Sequence, residues 1–395
     1  MRSPFNILHS AFCILLLTSC ATAPRSPIDP LLTAPPFQHS LWGIAVEDEQ
    51  GRTLYAHDAD KMFITASNRK LFAAATVADC IGFDARLLTE LWIEGEDVIL
   101  RGGGDPSLGA ERHTREDALA PLVDALRQRG VTRVRDVIAD VSLFDRVTVP
   151  GSWKWGNLAS RFGAPVDALA WRENAAGEGA IREPALAAAN ALRDALILGG
   201  ISVDGTVRIS SEPHAWQERV AAVESPFVFQ LFTTMLKNSH NLYAEMLFKR
   251  LSAGAAPASY DASAAIERRF LAEVGVPADE TRFVDGSGLS PDDLATPRAI
   301  IRVLRWMNDP ARRGVWWAVL ATPGESGTLR VRLEELAPRL RGKTGTVAGV
   351  AALSGIIAGQ HGGFRYFSIL VNHHTVDSGD AEARIDAIVR EIARF

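Results

Sequence analysis

The sequence predicts an α/β chain of the α+β kind: one discontinuous domain, its sheet joining strands from both chain ends, interrupted by one inserted, mostly-β subdomain. Three observations predict it. Strand-like runs stand near both termini, Leu41 to Val46 and Arg52 to His57 at one end, Val350 to Ala358 and Phe364 to Asn372 at the other. Helical spacing of apolar residues follows Ser67 and returns from Pro226 onward. Between them, residues 86–217 carry short strands broken by glycine and proline turns, with one clear helix around Ala118 to Gly130.

The bulk composition fits such a fold. The 395 residues are 47% hydrophobic and 23% charged, enough apolar material for one large or two modest cores. Lys and Arg number 42 against 47 Asp and Glu, a net charge of −5. With no basic excess to neutralise a phosphate backbone, nucleic acid is not an expected partner.

The first element is a segment that leaves the chain. Arg2 supplies positive charge, and Ala11 to Leu17 forms an apolar run too short to span a bilayer. It stops at Leu17-Thr18-Ser19-Cys20, similar to the lipobox at which bacterial lipoproteins are cleaved and acylated. Residues 1–19 are therefore expected to be a signal peptide and Cys20 the lipidated first residue of a periplasm-facing protein of the cell envelope. A residue other than Asp at position 21, here Ala21, favours the outer membrane by resemblance to Gram-negative lipoproteins. Residues 20–37, with five prolines from Pro24 to Pro36, read as an extended tether.

After the tether the main domain is expected at 38–85 and 218–395. The first two strands are joined by a turn from Glu47 to Gly51. An alanine-rich helix follows Ser67, and Cys80 at its end reads as a buried structural thiol without a disulfide partner. The insertion opens with a hairpin, Leu87 to Ile93 and Val98 to Arg101, closed by Gly102-Gly103-Gly104-Asp105-Pro106. Helices at Phe227 to Lys237, Leu242 to Leu251 and Ala262 to Val274 re-enter the main domain, and the amphipathic positions Ile385, Ile388, Val389 and Ile392 end it.

Three short motifs carry candidate chemistry: Ser67-Asn68-Arg69-Lys70, Ser239-His240-Asn241 and Lys343-Thr344-Gly345-Thr346. Each pattern, S-x-x-K, S-x-N and K-T-G, occurs once, and it is their order in an exported chain that makes the joint signal strong. Serine and lysine three apart on a helix share a face, so the Lys70 amine can reach the Ser67 hydroxyl. If Ser67 opens the helix, its N–H sits at the positive end of the dipole, where an oxyanion would be stabilised. Lys70 serves as a base only if burial or a neighbouring cation lowers its pKa, and Lys343 could supply that cation.

Each motif also has a plainer reading. Ser67 could cap a helix beside a solvated Lys70, and Ser239-His240-Asn241 could cap the helix beginning near Leu242. Otherwise Ser239 and Asn241 face one cleft from a loop, with His240 turned away. Lys343 could simply guard a strand edge against aggregation. A regular strand would point Lys343 and Gly345 one way and Thr344 and Thr346 the other, so a twist or bulge must bring these polar groups together. Glycine there lets a peptide lie against the strand, and the lysine and hydroxyls suit a terminal carboxylate.

With Phe162-Gly163-Ala164-Pro165-Val166, Asp285-Gly286-Ser287-Gly288-Leu289-Ser290 and Leu353-Ser354-Gly355 in the same order, the chain resembles the penicillin-binding D-alanyl-D-alanine carboxypeptidase/endopeptidases of peptidase family S13. The resemblance implies a serine β-lactamase/DD-peptidase-like fold, an antiparallel sheet flanked by helices. It implies Ser67 as acylated nucleophile, Lys70 as its base, Ser239 and Asn241 as the second motif, and Lys343, Thr344, Gly345 and Thr346 as the substrate-binding strand. The N–H groups of Ser67 and Thr346 resemble an oxyanion hole. The implied substrates are peptidoglycan stem peptides, the implied covalent inhibitors are β-lactams, and no cofactor is implied. His240 departs from the Asp or Asn that the family often has there, and the chain looks like a trimmed member with a single insertion.

Two rivals are weighed against this. A serine β-lactamase would need a dedicated deacylation base, and no E-x-x-L-N segment of the class A kind is present. A catalytically silent lipoprotein that binds peptidoglycan or a partner is the reading of another class. A metal site is not expected: the nine histidines include His373-His374 but no H-E-x-x-H or paired-cysteine pattern.

Overall fold

A computed structural model describes residues 26–115, 117–254, 256–360 and 362–395. The signal segment, Cys20, Ala21 and the first part of the tether lie outside the described residues.

Five antiparallel strands form the main sheet, in the order Leu340–Val347, Val350–Ala358, Phe364–Asn372, Leu41–Asp48 and Thr53–His57. The chain ends meet where expected, with Leu41 opposite Asn372 and Ile44 opposite Ile369. Because successive side chains point to opposite faces, each strand feeds two cores. Ala45, Ala352, Ile356 and Leu370 pack with the helices Arg69–Cys80 and Pro297–Met307. Ile44, Leu353, Ile369 and Val371 pack under the C-terminal helix Ser378–Ile392, through its Ile385, Ile388 and Val389. The helix Pro297–Met307 starts sharply because the Thr296 hydroxyl accepts the Ala299 N–H at 3.0 Å and proline occupies the first turn.

The tether reading fails from residue 26 onward. Asp29–Thr33 is a short helix, and Ile28, Leu32 and Phe37 are buried in the core beneath the C-terminal helix. Arg384 donates to the carbonyls of Leu31, Ala34 and Pro35, tying the segment to the C-terminal helix. Three apolar side chains and one guanidinium outweigh the prolines. Cys80 also differs from expectation: as the last residue of its helix it turns past the packed face and is exposed.

The insertion is built on a second sheet, in the order Val207–Ser210, Val137–Asp140, Asp97–Arg101, Leu88–Glu94 and Glu218–Glu224. The last strand pairs with Leu88–Glu94, so the insertion runs to Glu224 rather than ending at 217. The other three strands, Asp97–Arg101, Val137–Asp140 and Val207–Ser210, run parallel to one another through two pairings, which require crossover connections. One crossover carries the expected helix, Ala120–Gln128, and the other a helix not expected, Pro184–Leu198. Ala185, Ala188, Ala189, Leu192 and Leu196 form the buried face of that second helix, a helical spacing that was visible in the sequence. The subdomain is thus mixed α/β rather than mostly β.

Candidate active site

The serine of the first motif stands on a strained turn. Ser67 lies in the single 3-10 turn Ala66–Asn68 that leads directly into the helix Arg69–Cys80. Ala66 has φ +45°, an unfavourable left-handed conformation for alanine that the surrounding contacts must enforce. One turn on, Lys70 is fully buried, with its Nζ 2.9 Å from the Ser67 Oγ. The ammonium also donates to the Asn241 Oδ1 at 2.8 Å and the Ser287 carbonyl at 2.7 Å. Burial lowers the Lys70 pKa to about 7, against the opposing charges of Asp285, Glu245 and Asp293 and aided by Arg69. Arg69 is one neighbouring cation, and Lys343, the cation to which the sequence points, is also close enough for its charge and that of Lys70 to oppose each other.

The second motif is held from both sides. Val228–Phe232 widens into a π-helical turn at Thr233–Lys237, and Ser239 follows in the left-handed region at φ +58°. Asn241 is the first residue of the helix Asn241–Arg250. Its amide bridges the two subdomains: Oδ1 accepts from Lys70, and Nδ2 donates to the Phe162 carbonyl of the insertion at 2.9 Å. His240 is turned away, as expected.

The third motif lies on the edge strand, whose register with Val350–Ala358 is unbroken from Leu340 to Val347. No bulge is needed. Lys343 passes inward, fully buried, and donates to the Ser239 Oγ at 2.8 Å. Thr344 points the other way, to the Thr328 hydroxyl at 2.7 Å, and Thr346 is exposed at the rim. At an edge, both faces of a strand reach the same groove. A Cβ on Gly345 would stand 3.0 Å from the Ser67 nitrogen, so any side chain there would have to push the Ser67 turn back from the strand. Burial, then the charge on Lys70, push the Lys343 pKa well down.

These residues open on a cleft of about 560 Å³ lined by Ser67, Ser239, Asn241, Thr344, Gly345 and Thr346. Lys154, Asn157 and Phe162 of the insertion form its far wall. A cleft-facing serine hydroxyl bound to a buried lysine, a serine bound to a second lysine and a glycine-relieved strand edge are the parts needed to acylate a serine with an extended peptide.

Several residues that matter here had no role assigned from sequence. The Asp285 carboxylate accepts from the N–H groups of Ser287 at 2.9 Å, Gly288 at 2.7 Å and Ser290 at 2.9 Å, and from the Trp153 indole at 2.8 Å. That turn aims the Ser287 carbonyl at Lys70. Asp followed by Gly, Ser and Gly is the composition of an Asx turn, the signal that could have found it. Gly288, at φ +79°, is required because a Cβ would lie 1.9 Å from the Ala66 carbonyl oxygen.

Residues 25–178 and 173–394 match the D-Ala-D-Ala carboxypeptidase 3 (S13) family. Among curated proteins, the chain is 28% identical to the D-alanyl-D-alanine carboxypeptidase of Actinomadura sp. (strain R39), over 94% of this chain and 84% of that one. It is 27% identical to Carboxypeptidase DacB of Mycolicibacterium smegmatis, over 95% and 84%. The fold is shared with penicillin binding protein 4 of Haemophilus influenzae, with a TM-score of 0.83 at 19% identity, covering 94% of this chain and 100% of that one. A peptidoglycan endopeptidase of Bdellovibrio bacteriovorus, Bd3459, gives 0.60 at 16% identity, covering 90% and 93%.

Proposed function

The chain belongs to the D-Ala-D-Ala carboxypeptidase 3 (S13) family, and from that premise we propose that Ser67 is the nucleophile of a serine DD-peptidase acting on peptidoglycan peptides. The single observation that carries the assignment is the contact between the Ser67 hydroxyl and a buried lysine whose pKa lies at about 7. Such a lysine is substantially neutral at physiological pH and can take the serine proton.

In this reading the terminal carboxylate of a D-Ala-D-Ala stem lies along Thr344, Gly345 and Thr346, with the charge of Lys343 beneath. Ser67 Oγ attacks the carbonyl carbon of the penultimate D-Ala as its proton passes to Lys70. The oxyanion is held by the N–H groups of Ser67 and Thr346. Collapse breaks the C–N bond, and the leaving amine takes a proton by way of Ser239, which Lys343 orients. Terminal D-Ala, or a cross-linked partner strand, departs. Water then attacks the ester, Lys70 accepting its proton, and Ser67 is regenerated.

The protein acts in the cell envelope with its family. We place its attachment there at Cys20, lipidated after cleavage at the lipobox and sorted to the outer membrane. β-Lactams, which mimic the D-Ala-D-Ala strand, acylate Ser67 in the same way. The test is labelling of the purified mature protein by a fluorescent penicillin, with D-Ala release measured in parallel. Stable labelling and D-Ala release, both lost in Ser67→Ala, are expected. A folded wild type that neither labels nor releases D-Ala would overturn the proposal, and rapid loss of label would point to a β-lactamase.

A further inference from the structure

His240 and the insertion meet at a contact that the reaction described above does not use. The His240 ring, its side chain 18% exposed, lies between the Tyr243 ring, 4.8 Å away edge-on, and the Glu173 carboxylate, 3.5 Å from its Nε2. Its other nitrogen, Nδ1, is buried without a partner. A neutral imidazole with its proton on Nε2 suits this environment, since that proton then points to the carboxylate.

Glu173 belongs to the insertion and is held in place at unusual cost. Arg172, Glu173 and Asn174 are three consecutive non-glycine residues with positive φ, at +50°, +59° and +52°. Each such residue costs on the order of 1–3 kcal/mol and persists only where its surroundings enforce it. They do so here: Asn174 accepts the Trp171 N–H at 3.0 Å and donates to the Pro165 carbonyl at 2.8 Å. Arg112 and the Tyr243 hydroxyl, at 3.0 and 2.9 Å, take the two oxygens of Glu173. Burial raises the Glu173 pKa, but His240 and Arg112 more than offset this and bring it to about 2, so the carboxylate stays charged.

The residues on either side of His240 do the chemistry. Ser239, itself left-handed, meets Lys343, and Asn241 meets Lys70. A backbone strained at Ser239 has to be fixed by its neighbours, and the His240 side chain is its anchor.

We propose that Glu173 is a positioning residue: through His240 it fixes the Ser239-His240-Asn241 segment against Lys70 and Lys343, making the inserted subdomain part of the acylation machinery. The proposal rests on the peptidase reading. It gives the insertion a task and explains why histidine can stand at position 240.

The test is a double-mutant cycle with Glu173→Gln and His240→Asn, reading the acylation rate by fluorescent penicillin, kcat and KM on a D-Ala-D-Ala peptide, and Tm. Each single variant is expected to lower the acylation rate and kcat roughly tenfold or more with KM little changed, and the double variant to be no slower than the slower single one. Fully additive losses, or wild-type acylation in variants that merely melt earlier, would refute it. If Glu173→Gln does not fold, Glu173→Asp keeps the charge for Arg112 while withdrawing from His240, and acylation at the wild-type rate in that variant also refutes the coupling. A wild type that is not acylated at all would overturn the peptidase reading and this proposal with it, whereas an active wild type with unaffected variants overturns only this one.

Discussion

Acid should silence acylation along a limb set by Lys70. With a midpoint of about 7, Lys70 is neutral in ~50% of molecules at pH 7 and ~1% at pH 5, so acylation by penicillin should fall ~50-fold between them. The perturbation that tests the cause is Glu245→Gln. Glu245 is fully buried, its carboxylate accepts the Gly286 N–H at 3.0 Å, and its charge holds the Lys70 pKa up. Burial and Asp285 bring Glu245 itself to about 7, so either group could in principle produce a limb there. The two causes give opposite results. If Lys70 is the titrating base, removing the negative charge lowers its pKa, and the limb moves to lower pH; a shift of one unit corresponds to ~1.4 kcal/mol. If Glu245 is the titrating group, the limb vanishes in Glu245→Gln. The assay is the second-order acylation rate from pH 4.5 to 9 for both proteins, with circular dichroism confirming the fold at each pH. A limb that stays in place, or moves to higher pH, would refute the burial-and-charge account of Lys70.

Other perturbations read separate parts of the molecule. Gly345→Ala places a Cβ 3.0 Å from the Ser67 nitrogen, and overpacking of ~1–3 kcal/mol at this spot should cut acylation at least ~10-fold while Tm falls by only a few degrees. Measurement of both quantities on the one variant checks it. Asp285→Ala frees the Ser287 carbonyl from its turn and should reduce kcat far more than KM, as steady-state D-Ala release would record. Ile388→Ala, in the core beneath the main sheet and not among the residues lining the cleft, should cost ~2–5 kcal/mol in urea unfolding without changing the acylation rate of the folded protein. Cys20→Ala should move the protein from the membrane fraction to the soluble periplasm, and mass spectrometry of the wild type should find an acylated Cys20.

Much of this molecule was legible because its signals are local. Strand alternation and turn composition gave the hairpins at both ends, and the three motifs lie on the elements that build the cleft. What escaped is set by contacts between distant residues. Lys70 is held by groups 171 and 217 residues away, and its pKa is set by burial and by Asp285, Glu245 and Asp293, so the sequence could require a depressed lysine but not say which charges surround it. The tether reading fails because proline content argues against a helix but says nothing about the backbone carbonyls that Arg384, some 350 residues later, can reach. The parallel strands of the insertion were hidden because their short apolar runs look alike whichever way they pair.

The edge strand shows how such a gap closes. Sequence alternation placed Lys343 and Thr344 on opposite faces and seemed to demand a bulge. The register is regular; on the outer side Gly342 is bridged to Ala321, and past that bridge the strand is the edge of the sheet, where both faces border one cleft. Position in the sheet, a property of the whole chain, therefore decides the chemistry available to four consecutive residues. The same reasoning separates the two lysines. Both are fully buried, but Lys70 also contacts the Ser67 hydroxyl and an amide oxygen, whereas Lys343 contacts Ser239 and its own strand. Only the first is placed to take a proton from the Ser67 hydroxyl, while the second is held beneath the strand edge by Ser239 and the Thr344 carbonyl.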